Sequence, residues 1–142
     1  MFMWLIYALL SAAAAAMVGI FGKMGLKDVD ANTATAVRSV IMTLFLFAVV
    51  AFQGNLHKIP SIFEDKKAFF YISLTGVAGA TSWIFYFLAL KYGKVSQVAP
   101  VDKLSVVIAA IAAVIILGEK ISLLGGIGIG LIAIGAILVA LG

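Results

Sequence analysis

The chain has 142 residues, of which 65% are hydrophobic and only 11% charged, with a formal net charge of +4 and no cysteine. An ordinary soluble domain carries roughly 25% charged residues, and a fold this small has no core able to hide so much apolar surface from water. Soluble enzymes, disordered regions and secreted disulfide frameworks are excluded, as are thiolate nucleophiles and Cys-based metal sites. The Lys and Arg residues are scattered rather than gathered in a tract, so nucleic acid is not an expected partner.

Spans of about 20 residues, the length that crosses a bilayer, account for most of the chain. The first is expected at about residues 3–21, since no charged side chain precedes Lys23. Small residues from Ser11 to Ala16 would suit a signal peptidase. However, no Lys or Arg precedes the apolar stretch, which continues through Met17, Val18, Ile20 and Phe21, so a retained span is expected. The second span, 33–52, carries Arg38 in its first two turns, and the third, 68–90, is uncharged. The fourth, 96–117, passes through Pro100, Asp102 and Lys103, and the fifth, 121–141, is again uncharged. Between the second and third spans, Ser61-Ile62-Phe63-Glu64 has capping-box spacing and is expected to open the third helix. Glu119 is expected to cap the fifth helix, and Glu64 and Asp65 suit the helix dipole at the start of the third. No connection is long enough for a separate domain. The predicted fold is all-α: a polytopic transmembrane helix bundle of five spans, one domain over 1–142.

An odd number of spans puts the two termini on opposite sides of the bilayer. Connections on the amino-terminal side carry Lys58, Lys66, Lys67 and Lys120; those on the other side carry Lys23, Lys27, Lys91 and Lys94. Orientation follows the Lys/Arg bias of short loops, and here the bias is zero with Arg38 and Lys103 taken as intramembrane, or five against four if Arg38 is counted with the nearest loop. Insertion in both orientations is therefore expected; the alternative is that the first helix or an insertion factor imposes one.

A charge near a helix centre costs about 2.5–3.5 kcal/mol on insertion scales, so such groups face the bundle interior and find partners. By helical rise, Arg38 lies about 9 Å into the second span and Asp102 and Lys103 about 9–10 Å into the fourth, both entered from the same side. Trp83 and Tyr86 lie about 10 and 6 Å from the end of the third span on that side, and Ala12 to Ala16 of the first leave room. These groups are expected to share a level and to line a polar, substrate-binding pocket. Adjacent helical residues project about 100° apart, so Asp102 is expected to pair with Arg38 in a bidentate bridge. Lys103 then faces a cavity, a substrate or a second subunit. The plainer alternative is that Arg38 and Asp102 only staple two helices while Lys103 snorkels to water. Pro100 cannot donate to the helical ladder and frees a carbonyl near Ser96, an expected kink of the kind found where transporters bind substrates.

Tyr71, Thr75, Gly79, Ser82 and Tyr86 form one stripe of the third span, which can line a cavity or allow close helix contact. The last span holds a Gly126-x-x-x-Gly130 step suited to close helix packing. The strand that a dinucleotide fingerprint requires is missing. His57 is the single histidine, no nucleophile–base pair is evident, and neither catalysis, a cofactor nor a metal is expected.

Val98-Ala99-Pro100-Val101, the apolar run after it, Leu117-Gly118-Glu119 and the Gly-rich last span resemble the EamA-type domain of the drug/metabolite transporter superfamily. Tyr86-Phe87-Leu88-Ala89-Leu90 is similar to the ending of that family's third helix, and the resemblance covers nearly the whole chain. Larger relatives hold two such five-helix repeats of opposite orientation, ten helices around a central cavity. The resemblance thus implies an antiparallel homodimer, the arrangement to which the even charge count points separately. Small multidrug resistance proteins carry an acidic residue in their first helix; this one has none, so their proton-coupling scheme does not transfer.

The expected function is secondary transport, with export the expected direction, by alternating access in a homodimer in the inner (plasma) membrane. Arg38, Asp102 and Lys103 sum to +1, which favours a small zwitterionic or anionic metabolite over a bare cation. Trp83 and Tyr86 would supply a stacking wall, and Asp102 is the candidate for any proton coupling. The alternative is a non-catalytic membrane subunit or a lipid-carrier flippase component whose polar cluster holds a partner helix or a lipid head group.

Overall fold

The computed structural model describes residues 3–142, and among them every regular element is helical. Seven α-helices follow in chain order: α1 (Met3–Gly25), α2 (Ala31–Phe52), α3 (Ile59–Glu64), α4 (Lys66–Tyr92), α5 (Val95–Asp102), α6 (Leu104–Leu117) and α7 (Leu123–Leu141). A single 3₁₀ turn, Leu56–Lys58, leads into α3. Five segments are long and apolar enough to span a bilayer: α1, α2, α4, the α5–α6 pair over Val95–Leu117, and α7. They coincide with the five predicted spans to within a few residues. Helices are required because lipid offers backbone N–H and C=O groups no partner outside the segment.

Local chemistry sets the helix ends. Asp30 caps α2: its carboxylate accepts from the Thr33 backbone N–H at 2.8 Å and from the Thr33 hydroxyl at 3.0 Å. That N–H, then that hydroxyl, with the Lys91 charge nearby, hold the Asp30 carboxyl below its ordinary value. At the other end of α2 the chain reverses through Gly54, whose φ of 70° places it in the left-handed region. Gly54 N–H donates to Ala51 O and Asn55 N–H to Val50 O, the paired bonds of a Schellman motif. Gly118, at φ 68°, closes α6 in a related way, with its own N–H and that of Glu119 both donating to Ala113 O.

Two capping expectations are corrected. Ser61 does not open the third span: Pro60 in the first turn starts α3 earlier, and the Ser61 hydroxyl donates to Lys58 O at 2.7 Å from inside that helix. The cap of α4 is Asp65, whose extended backbone interrupts the chain and whose carboxylate accepts from the Lys67 and Ala68 N–H groups at 3.1 and 3.0 Å. The cap of α7 is likewise Ser122, accepting from Gly125 N–H at 3.1 Å, rather than Glu119. Glu119 belongs to the turn at the end of α6, its N–H donating to Ala113 O at 3.2 Å.

The chain divides into two compact units, Met24–Lys91 and the stretch through Lys23 together with Tyr92–Gly142. In the first, the buried residues are Leu26, Ala31, Thr35, Phe87 and Leu90, so its core sits where α2 begins and α4 ends. Lys91 reinforces that end by donating to Val29 O at 3.4 Å. In the second, α5, α6 and α7 pack on one another, and the more buried side of α7 runs through Ile129, Ala133 and Ala136. Lys23 joins this unit by donating to Gly93 O at 2.8 Å. Large apolar side chains elsewhere stand exposed, Phe52 at 93% and Ile115 at 76% among them. Such a surface would collapse in water but suits acyl chains, which are as apolar as the side chains themselves.

Candidate functional site

Within Met24–Lys91 the structure brings three of the expected site residues together. Arg38 lies two turns into α2, and its guanidinium carbon stands 3.7 Å from the centroid of the Trp83 ring on α4. A carbon that close to a ring centroid must lie over the face, where the negative side of the ring quadrupole attracts a cation. Phe87, one turn further along α4, presents its centroid at 5.6 Å from the same carbon. Tyr86 meets Trp83 edge-to-face, with centroids 5.4 Å apart and planes at 83°, and Trp83 meets Phe87 the same way at 5.8 Å and 86°. Trp83, Tyr86 and Phe87 are thus a block of aromatic rings, assembled because positions three and four apart share a helix face. Phe87, only 5% exposed, anchors that block. Sequence reasoning quoted Phe87 only as part of a motif; its signal was the four-residue step from Trp83.

Several hydroxyl groups of the same unit are turned back on their own helices. Thr35 donates to Ala31 O, Ser39 to Thr35 O and Thr43 to Ser39 O, at 2.8, 2.9 and 2.9 Å, a four-residue stripe along α2. On α4, Thr75 donates to Ile72 O at 2.7 Å. This back-bonding satisfies a hydroxyl inside a membrane span without a partner helix. Thr75 therefore has its hydrogen occupied, while the predicted stripe beside it includes Gly79, where a Cβ would meet nothing within 4 Å.

The remaining charged residues occupy an interruption in the fourth span. The helix passes through Pro100 and ends at Asp102; Lys103 forms a turn, its N–H donating to Pro100 O at 3.1 Å, and α6 begins at Leu104. Contrary to expectation, Asp102 and Lys103 pair with each other: Lys103 Nζ stands 3.3 Å from Asp102 Oδ2. The rule that neighbours diverge by about 100° holds for a continuous helix. Lys103 keeps an αR backbone in its turn, and its long side chain reaches back across that divergence to Asp102. The pair is part-exposed, the Lys103 and Asp102 side chains being 54% and 34% accessible.

The Gly126-x-x-x-Gly130 step was expected to serve helix packing. Among the described residues nothing lies within 4 Å of a Cβ built at Gly126, Gly128, Gly130 or Gly135. Among the described residues of its own unit, that step therefore makes no close approach. His57, in the connection after α2, hydrogen-bonds through Nδ1 to Gly54 O at 2.9 Å. A carbonyl only accepts, so Nδ1 carries the proton, and the ring serves the turn.

Five helical spans, with an Ala-Pro step before the break in the fourth and a left-handed Gly in Leu-Gly-Glu, sit where the resemblance requires them. The model of the EamA-like transporter family matches residues 2–141. The chain belongs to that family. It is also similar to a protein of Sinorhizobium sp named "Uncharacterized transporter in cobO 3'region", with 41% identity over 137 residues that make up 96% of each chain. No solved structure matches it. This member of the EamA-like transporter family is a multi-pass membrane protein and a transporter.

Proposed function

We propose that this protein is a secondary transporter that exports small polar or zwitterionic metabolites by alternating access. It works as an antiparallel homodimer in the inner (plasma) membrane. The observation that carries the substrate class is the acid–amine pair at the interruption of the fourth span, Asp102 and Lys103 at 3.3 Å. A zwitterion can replace each member of that pair with its own opposite charge, the ammonium on Asp102 and the carboxylate on Lys103, at little net electrostatic cost. Interrupted spans are where transporters of other folds hold their substrates.

The homodimer is supported by the equal count of four cations on each side of the membrane and by the likeness of these five spans to one of the two repeats in larger relatives. The Sinorhizobium relative is matched over 96% of its length, which leaves no room in it for a second repeat. Two oppositely inserted copies would supply the inverted pair of repeats that alternating access uses.

Purified protein in liposomes tests the reading. Uptake of a labelled amino acid against unlabelled amino acid trapped inside is expected, with a reporter at the carboxyl terminus detected on both sides of the cell membrane. Failure of every polar and zwitterionic solute to exchange, with purification only alongside a different subunit, would replace transport by this chain alone with a subunit role. A reporter detected on one side only would end the antiparallel arrangement.

A further inference from the structure

Arg38 is a full charge at span depth, and its surroundings are unusual. The four carboxylates of its unit are Asp28, Asp30, Glu64 and Asp65, and all stand at helix ends or in connections. Asp30 precedes Arg38 by eight residues, about 12 Å along the helix, and is engaged with Thr33. Asp65 is engaged with the start of α4. What the unit gives the guanidinium is the Trp83 face at 3.7 Å and the Phe87 ring at 5.6 Å. Aromatic faces offset part of the charge, but they do not replace in-plane acceptors for five N–H donors. The neighbouring Ser39 hydroxyl donates to Thr35 O, and among the described residues no hydrogen bond joins it to Arg38. Leaving such donors unmet at membrane depth is costly.

We infer that the Arg38 guanidinium, seated on Trp83, is the receptor for a carboxylate carried by a small solute with a flat apolar body. The two-pronged edge of a guanidinium matches the two oxygens of a carboxylate, and Trp83, Tyr86 and Phe87 offer the aromatic surface for the body. This rests on the transporter reading and narrows it: the carboxylate is the group the substrate must have, and Arg38 and Trp83 recognise it at a stage of passage separate from its contact with Lys103. The same oxyanion chemistry is present in a phospholipid phosphate, so the test separates the two sources.

Trp83 reports on its own site once the other tryptophan, Trp4, 70% exposed on α1, is removed as Trp4→Phe. In a phosphate-free non-ionic detergent, titration with benzoate is expected to give a saturable change in Trp83 emission. Benzamide, with the same outline and no charge, is expected to bind about tenfold more weakly or worse, the scale of one charge-assisted hydrogen bond. Arg38→Gln should bring benzoate down to the level of benzamide. Arg38→Lys, which keeps the charge and loses the fork, should fall between. Equal responses to benzoate and benzamide, or a benzoate response that survives in Arg38→Gln, overturn the inference. Loss of the benzoate response on adding phosphatidylglycerol to the micelles overturns it too, by giving the site to lipid phosphate. If Arg38→Gln does not assemble, the wild-type contrast between the two ligands decides. Exchange in liposomes without any benzoate response would sink this inference and leave the transport reading standing; the reverse would do the opposite.

Discussion

The contact between Arg38 and Trp83 can be weighed directly by a double-mutant cycle. Arg38→Met keeps an unbranched apolar stem without the charge, and Trp83→Leu removes the ring while retaining bulk. Cation–π pairs contribute about 0.5–1 kcal/mol when exposed and about 2 kcal/mol or more when desolvated. Arg38 and Trp83 are both half-buried and the separation is 3.7 Å, so a coupling of about 1–2 kcal/mol is expected, roughly a 5–30-fold shift in the unfolding equilibrium. Phe87 remains beside Arg38 at 5.6 Å in the Trp83 variant, so the cycle isolates the indole. Reversible unfolding in mixed detergent micelles, followed by circular dichroism, measures it without depending on the fluorescence that Trp83→Leu removes. Each single variant also loses packing, which the cycle cancels. If the two substitutions add to within about 0.3–0.5 kcal/mol, the range expected of independent sites, the two groups do not interact and the aromatic seat is refuted.

Other consequences can be checked with the same preparation. Gly118→Ala is expected to destabilise by about 1–2 kcal/mol, the cost of a Cβ at left-handed φ, although nothing crowds the site; an unchanged unfolding midpoint would contradict the turn. Gly126→Ala, in contrast, should leave the unfolding of the monomer within about 0.5 kcal/mol of wild type, because its Cβ meets nothing in the chain. The Asp30 carboxyl titrates below its ordinary value when folded, so the stability it contributes is present above the unfolded pKa and disappears as pH falls through the folded one. An acid titration of unfolding should show that loss in wild type and a flatter acid limb in Asp30→Asn. Asp102→Asn should abolish any proton-driven exchange in liposomes while the protein still assembles; normal transport across the pH range would remove Asp102 as the coupling group.

Five spans, the absence of thiol chemistry, and the EamA-type landmarks were legible in the sequence because each is local. An uninterrupted apolar run cannot avoid the bilayer, and a span needs no knowledge of its neighbours to become a helix. The convergence of Arg38, Trp83 and Tyr86 could be anticipated for a related reason: helical rise converts sequence separation into depth, and charge in lipid must face inward. What the sequence could not settle were choices between competing partners. Whether Ser61 or Asp65 caps the third span, and Glu119 or Ser122 the fifth, depended on where the preceding backbone turned. Asp102 and Lys103 meet at the turn that ends α5 because the long Lys103 side chain reaches back to its neighbour, and only the folded backbone fixes where a helix stops. Gly126, Gly128, Gly130 and Gly135 of α7 likewise read as a packing face in one dimension, yet among the described residues nothing lies within 4 Å of a Cβ built on them, since close approach needs a second helix at the right distance. Apolar runs thus determine how many helices cross the membrane, while tertiary structure decides what each polar group between them holds.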